Sequence, residues 1–181
     1  MLSPDRAALV VVDLQEKLLP AIDEPGRVLK NSLLLLHLFR ISGLPVVLTT
    51  QYRKGLGETV AEVLAAAPGV EPVDKVSFGC FGDAGFLSLL ERLQGRDQLV
   101  VAGIEGHICV AQTVLGAIEK GYEVHVASDA VGSRLPSNRE VGLRRMEKSG
   151  AVISSAEMAV YELLGTSDGT AFKRMLPYLK G

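Results

Sequence analysis

An acid, an amine and a thiol stand at the ends of three apolar runs in this sequence. Asp13 closes Ala7-Ala8-Leu9-Val10-Val11-Val12, and Lys75 closes a weaker run that begins at Glu71. Cys109 comes shortly after Gln98-Leu99-Val100-Val101-Ala102-Gly103. A free thiol titrates near ~8.5, and a helix N-terminus or a nearby cation lowers that value. Cys109 at the start of a helix, facing the Lys75 ammonium, is therefore expected to be an activated nucleophile. Asp13 in a dry pocket would take the thiol proton and return it to a leaving group. Lys75 would hold that carboxylate ionised and in place. Backbone N–H groups of the turn Gly103-Ile104-Glu105-Gly106 would face the space in front of the sulfur, where such donors stabilise a tetrahedral oxyanion. The implied chemistry is acyl transfer to sulfur followed by hydrolysis.

Each residue also has a plainer reading. A single cysteine is usually a small buried hydrophobe. An aspartate after a valine run commonly caps the strand or forms its turn, and Lys75 beside Asp74 could be a solvated pair of little consequence. The joint placement of the three at strand ends favours the chemical reading. His107 lies two residues before Cys109, and residues so spaced do not face each other on a helix. His37 and His125 fall in the middle of a helix and a strand and suit packing. Cys80, in Phe78-Gly79-Cys80-Phe81-Gly82, has no helix start to activate it and is read as non-catalytic.

The elements that must position these residues alternate along the chain. Short apolar runs at Ala7–Val12, Pro45–Thr50, Gln98–Gly103 and Glu123–Ser128 read as strands, with weaker ones at Glu71–Lys75 and Ala151–Ile153. Unbroken apolar runs suit a parallel sheet buried on both faces. Helix patterns lie between them, at about Arg27–Ser42, Ala84–Leu93, Ile108–Lys120 and Asn138–Lys148, each followed by a glycine suited to ending a helix (Gly43, Gly95, Gly121, Gly150). The pattern predicts a three-layer α/β/α fold around a six-stranded, mostly parallel sheet, with ligands at the carboxyl ends of the strands. The segment Tyr52 to Gly57, with Gly55 and Gly57, reads as a mobile lid or subunit contact.

Composition narrows the function. The chain has 181 residues, 48% of them hydrophobic, with 19 Lys+Arg against 21 Asp+Glu and a net charge of −2. That length fits one domain over residues 1–181. Without a basic block, nucleic acid is not expected as a partner. The aliphatic runs are too short to cross a bilayer, and the N-terminus lacks the layout of a secretion signal, so a cytoplasmic protein is expected. Two cysteines build no disulfide framework. Three scattered histidines and the lack of Cys-x-x-Cys spacing predict no metal site. Without G-x-G-x-x-G after the first strand or a P-loop, no nucleotide cofactor is expected, and no G-x-S-x-G elbow is present.

Several segments together are similar to the isochorismatase-like cysteine hydrolase superfamily, from Ala7 to about Leu164. They are Val10-Val11-Val12-Asp13-Leu14-Gln15, Asp74-Lys75-Val76-Ser77-Phe78, Gly103-Ile104-Glu105-Gly106-His107-Ile108-Cys109-Val110 and Ser128-Asp129-Ala130-Val131-Gly132-Ser133-Arg134. The stretch Thr50-Gln51-Tyr52-Arg53-Lys54-Gly55-Leu56-Gly57 looks like the subgroup of isochorismatase domain-containing proteins. The resemblance implies an Asp13-Lys75-Cys109 triad, a cis peptide before Glu105, an oxyanion hole made of the Glu105 and Cys109 amides, and homo-oligomers. Where nicotinamidases of the superfamily carry metal-binding Asp and His, this chain has Gln51-Tyr52-Arg53, which argues against that activity. Isochorismatases proper tend to lack the cysteine, which argues against isochorismate as substrate. Gly79 and Gly106 replace residues that are often Ser and Thr in the family and would widen the pocket.

The expectation is a metal-independent, cofactor-free cysteine hydrolase acting on a C–N, amide-like bond of a small molecule through a thioester. Gln15, Tyr52, Phe78, Phe81 and Gly106 are the expected pocket residues. The alternative is a catalytically silent scaffold of the same fold.

Overall fold

Every residue of the first strand, β1 (Ala7–Val12), is buried, and its side chains feed two separate cores. Leu9 and Val11 point into one, whereas Ala8, Val10 and Val12 point into the other. A strand with apolar side chains on both faces must be covered on both faces, which places helices above and below the sheet. The computed structural model describes residues 1–180 of the chain.

The other strands are β2 (Val46–Gln51), β3 (Val73–Lys75), β4 (Gln98–Ile104), β5 (Glu123–Gly132) and β6 (Val152–Ser154). They form a six-stranded sheet in the order β3-β2-β1-β4-β5-β6, with every neighbouring pair parallel. The helices are α1 (Pro25–Ile41), α2 (Arg53–Leu56), α3 (Ala61–Ala66), α4 (Ala84–Arg92), α5 (Cys109–Glu119), α6 (Pro136–Lys148), α7 (Ala156–Leu164) and α8 (Thr170–Leu179). Helices α1, α3, α7 and α8 pack on the Leu9 face, and α4, α5 and α6 on the Val10 face. The predicted three-layer α/β architecture is therefore observed, and the sheet is wholly parallel. Among the described residues, no helix is long and apolar enough to cross a membrane.

Strand order reverses between β1 and β4, where connections leave for opposite faces and open a crevice at the strand ends. Gly103 makes the close approach of those two strands possible. Its φ is +119°, and a Cβ there would lie 2.1 Å from the Val12 carbonyl oxygen. The β4–β5 register shifts between Val101 and Gly103, and β5 runs on to Gly132, beyond the predicted end at Ser128.

Other differences from the sequence reading lie at short or polar segments. The stretch Tyr52 to Gly57, expected as a lid or subunit contact, contains a helical turn, α2, and Gln15 Nε2 donates to the Gly57 carbonyl at its far end. The Tyr52 N–H donates to the Lys75 carbonyl at 2.9 Å, and the Arg53 N–H donates to Asp74 Oδ1 at 2.8 Å. The sequence reading also omits α3, α7 and α8. Helix α7 is capped by the Ser155 hydroxyl, which accepts from the Met158 N–H at 3.1 Å. Helix α8 packs on α1, where Tyr178 stacks on His37 at 4.0 Å between ring centroids.

Candidate active site

Asp13 follows β1 directly, with a left-handed backbone (φ 53°) that turns the chain at the edge of the crevice. Its N–H donates to the Thr49 carbonyl at 3.2 Å. Its carboxylate is held on both oxygens. The Thr49 hydroxyl donates to Oδ1 at 2.7 Å, and the Lys75 ammonium donates to Oδ2 at 2.7 Å. Lys75, the last residue of β3, also donates to Gln51 Oε1 at 2.7 Å and to the Phe78 carbonyl at 3.1 Å. An ammonium has three donors, and here all three are used.

A second layer fixes Gln51. Gln15 Oε1 accepts from the Gln51 N–H at 2.7 Å, and Gln15 Nε2 donates to the Gln51 and Gly57 carbonyls. The Gln51 amide nitrogen in turn donates to the Val76 carbonyl at 2.8 Å. β1, β2 and β3 are thereby locked together at their carboxyl ends.

Cys109 is the first residue of α5 and is 7% exposed. Burial pushes its thiol up to about 12, the neighbouring Asp13 carboxylate adds to the rise, and the Lys75 ammonium offsets only part of it. The sequence expectation of a lowered thiol pKa is thus reversed. The Lys75 cation is present, but desolvation and the carboxylate outweigh it. Cys80 is fully buried and its thiol is pushed up to about 11, chiefly by burial. Its N–H donates to the Thr113 hydroxyl, which donates to the Cys109 carbonyl at 2.7 Å.

The Ile104–Glu105 peptide bond is cis, as the resemblance implies. Among the described residues, the Glu105 and Cys109 N–H groups meet no backbone acceptor, whereas the Gly106 N–H donates to the Gly132 carbonyl at 2.7 Å. The Glu105 carboxylate binds Arg134, accepting from its Nε at 3.0 and 3.1 Å and from its backbone N–H at 3.1 Å.

A cavity of about 460 Å³ reaches Cys109 and Gln51. Leu18, Ile22, Leu56, Phe78 and Ile108 contribute apolar walls, and Glu105 and Arg134 lie along it. Of the expected pocket residues, only Phe78 lines this space. Gln15 is spent beneath it on Gln51 and Gly57. Tyr52 is half exposed and its ring lies over Gly55. Phe81 packs against Gly116 and edge-on to Phe86 and Tyr122.

Gly106 faces β5, where a Cβ would lie 2.8 Å from Val131 Cγ1, and a Cβ on Gly79 would lie 3.0 Å from Gln112 Cβ. Neither glycine widens the cavity. Both provide close packing instead. His107 is engaged elsewhere, with Nδ1 3.0 Å from the Ser133 hydroxyl and Nε2 3.3 Å from Asn138 Nδ2.

Sequence reasoning missed Thr49, Gln51, Leu18, Ile22, Leu56 and Arg134. Thr49 and Gln51 sit at the carboxyl end of β2, where the strand-end rule that found Asp13 would also have found them. The others come from connecting segments, whose fold the periodicity does not determine.

Comparison with known proteins identifies the family and the fold. The family model of the isochorismatase domain matches residues 7–158. The secreted isochorismatase effector Isc1 of Phytophthora sojae is 35% identical over 99% of this chain and 87% of its own length. The solved structure of the MAR1 ribonuclease from Caenorhabditis elegans is 32% identical, with a TM-score of 0.93 over 99% of this chain and 92% of that one. YcaC from Escherichia coli, described as an octameric hydrolase of unknown specificity, is 29% identical, with a TM-score of 0.90 over 99% of this chain and 93% of its own. With most of its length matched in sequence and nearly all of it in fold, the chain belongs to the isochorismatase family.

Proposed function

We propose that the protein is a metal-independent cysteine hydrolase that cleaves an amide-like C–N bond of a small molecule, with Cys109 as nucleophile, Asp13 as proton shuttle and Lys75 as electrostatic support. The observation that carries this reading is the buried, doubly held Asp13 carboxylate beside a thiol at an open cavity. A thiol raised to about 12 is protonated at neutral pH, so its activation must accompany attack. Asp13 accepts the proton from Sγ as the C–S bond forms, and the carbonyl oxygen takes up the negative charge. Collapse of this intermediate breaks the C–N bond, and the amine leaves with the proton held by Asp13. Water then attacks the thioester and gives a proton to Asp13. The second collapse expels the sulfur, which regains that proton as the acid departs.

The Glu105 and Cys109 amides serve as the oxyanion hole, a role supported by their lack of backbone acceptors. Because all three Lys75 donors are used, its part is to keep Asp13 charged between proton transfers rather than to bind substrate. YcaC, described as a hydrolase, supports the reaction class, and its octamer supports a homo-oligomer for this chain, which light scattering would test. The name of the C. elegans protein speaks of RNA cleavage. Here the cavity is apolar and its charges are paired, which supports a small molecule rather than a polyanion.

Turnover of a panel of small amides by wild type and Cys109→Ala tests the proposal. Activity is expected to vanish in the variant while folding is retained, and acid quenching of the wild type should trap an acylated Cys109. Activity that persists in Cys109→Ala would overturn it, as would wild-type turnover with no trapped acyl group and no burst. Added chelator is expected to leave the rate unchanged.

A further inference from the structure

The charged groups around the cavity are paired with one another. Gln51 gives its oxygen to Lys75 and its nitrogen to the Val76 carbonyl. Lys75 has no donor left, and the Asp13 oxygens carry Thr49 and Lys75. The two charges nearer the opening, Glu105 and Arg134, hold each other through three contacts. Two carboxylates therefore face two cations, and their charges cancel. Among the described residues, what stays uncommitted is the Glu105 and Cys109 N–H groups, assigned above to a carbonyl oxygen, and, on the exposed side, the Arg134 Nη groups, whose charge Glu105 already offsets.

The remaining surface is hydrocarbon, from Leu18, Ile22, Leu56, Phe78 and Ile108. From this we infer that the site selects an uncharged amide whose acyl part is apolar and several carbons long, a substrate class that rests on the cysteine-hydrolase reading above.

The physical reason is a difference in what each substituent meets. A methylene moved from water onto these walls gains the usual transfer energy, equivalent to about fourfold in binding. A charged substituent leaves water and finds only counter-charges that a partner already offsets. The Arg134 guanidinium is held by Glu105 through Nε and is 60% exposed, so solvent weakens what its Nη groups could offer. An ammonium would meet only a Glu105 that is equally engaged. Burying a charge without a partner is costly.

Two measurements on the full chain test this. First, kcat/KM is compared for acetamide, butyramide and hexanamide, and for two amides of similar length that end in charge, succinamate and 4-aminobutyramide. The expectation is a rise of about threefold to fourfold per methylene, with both charged amides at least about tenfold below butyramide. Leu56→Lys, which adds a cation to one wall, is expected to raise succinamate relative to butyramide by about tenfold.

Second, the matching aldehydes butanal, hexanal and succinic semialdehyde are tested for protection of Cys109 against iodoacetamide. Addition of Sγ–H across the aldehyde C=O forms a hemithioacetal and consumes nothing else, so this series reports preference without turnover. Protection is expected to strengthen from butanal to hexanal and to be weakest for succinic semialdehyde. Equal protection by all three, or a preference for the charged compounds in either assay, would overturn the inference and leave the nucleophile reading intact. A Cys109 that iodoacetamide never modifies would overturn both.

Discussion

The Lys75 ammonium lies 2.7 Å from Asp13 Oδ2, and neither side chain is open to solvent. Taking both charges out of water is expensive, and their attraction repays this only when the remaining donors and acceptors are also satisfied. Here they are, through Thr49, Gln51 and the Phe78 carbonyl. An apolar pair of similar shape would serve stability as well or better, so stability alone does not account for the pair, whereas the part proposed for Asp13 in catalysis does.

Removing one partner should therefore be worse than removing both charges. Lys75→Met is expected to cost about 3–5 kcal/mol in urea denaturation, because it strands a buried carboxylate. The double variant Asp13→Asn/Lys75→Met should lose clearly less than the sum of the two single losses. Additive losses would mean that the two groups do not depend on each other.

Thiol reactivity should track the raised pKa of Cys109. Its alkylation rate by iodoacetamide is expected to be low at neutral pH and to keep rising above pH 9, toward a titration near about 12. Asp13→Asn removes a negative charge that favours the neutral thiol, so the titration should move to lower pH in that variant. Mass spectrometry of labelled peptides should find Cys109 modified ahead of the fully buried Cys80.

Stability should decline at alkaline pH. Both thiols have folded-state pKa values above the ordinary value of 9.0, up to about 11 for Cys80 and about 12 for Cys109. The folded chain then holds these protons more tightly than the unfolded chain. Their contribution is complete below about 9 and is lost as pH rises through the folded values. The urea midpoint should fall between pH 9 and 11, and the fall should be shallower in Cys80→Ala, compared by slope rather than by absolute stability.

Thr49 is expected to act through Asp13. Thr49→Val keeps the side-chain shape but removes the donor to Asp13 Oδ1. It should cost about 1–3 kcal/mol in stability and lower kcat by roughly tenfold, equivalent to about 1.4 kcal/mol of transition-state stabilisation, with KM little changed. Thr49→Ser, which keeps the hydroxyl, should restore most of the rate. A purely structural Thr49 would show the stability loss without the split between kcat and KM.

The sequence by itself determined the α/β class, the covered parallel sheet, the strand-end positions of Asp13 and Lys75 and the helix start at Cys109. Valine-rich runs without polar interruption can be buried only between two layers, and a parallel sheet offers its carboxyl ends to ligands. Tertiary structure decided the rest. The Cys109 pKa is the sum of burial and two opposing charges, and only relative depth and distance show which of them prevails. The pocket wall depends on how connecting segments cross the sheet. That is why Leu56 and Ile22 line it while Tyr52 and Phe81, equally apolar in sequence, turn elsewhere. Gly106 makes the same point, since the lack of a side chain serves the approach of β5 and not the volume of the cavity. Side-chain chemistry is written residue by residue, but the surroundings that tune it are assembled from segments far apart in the chain.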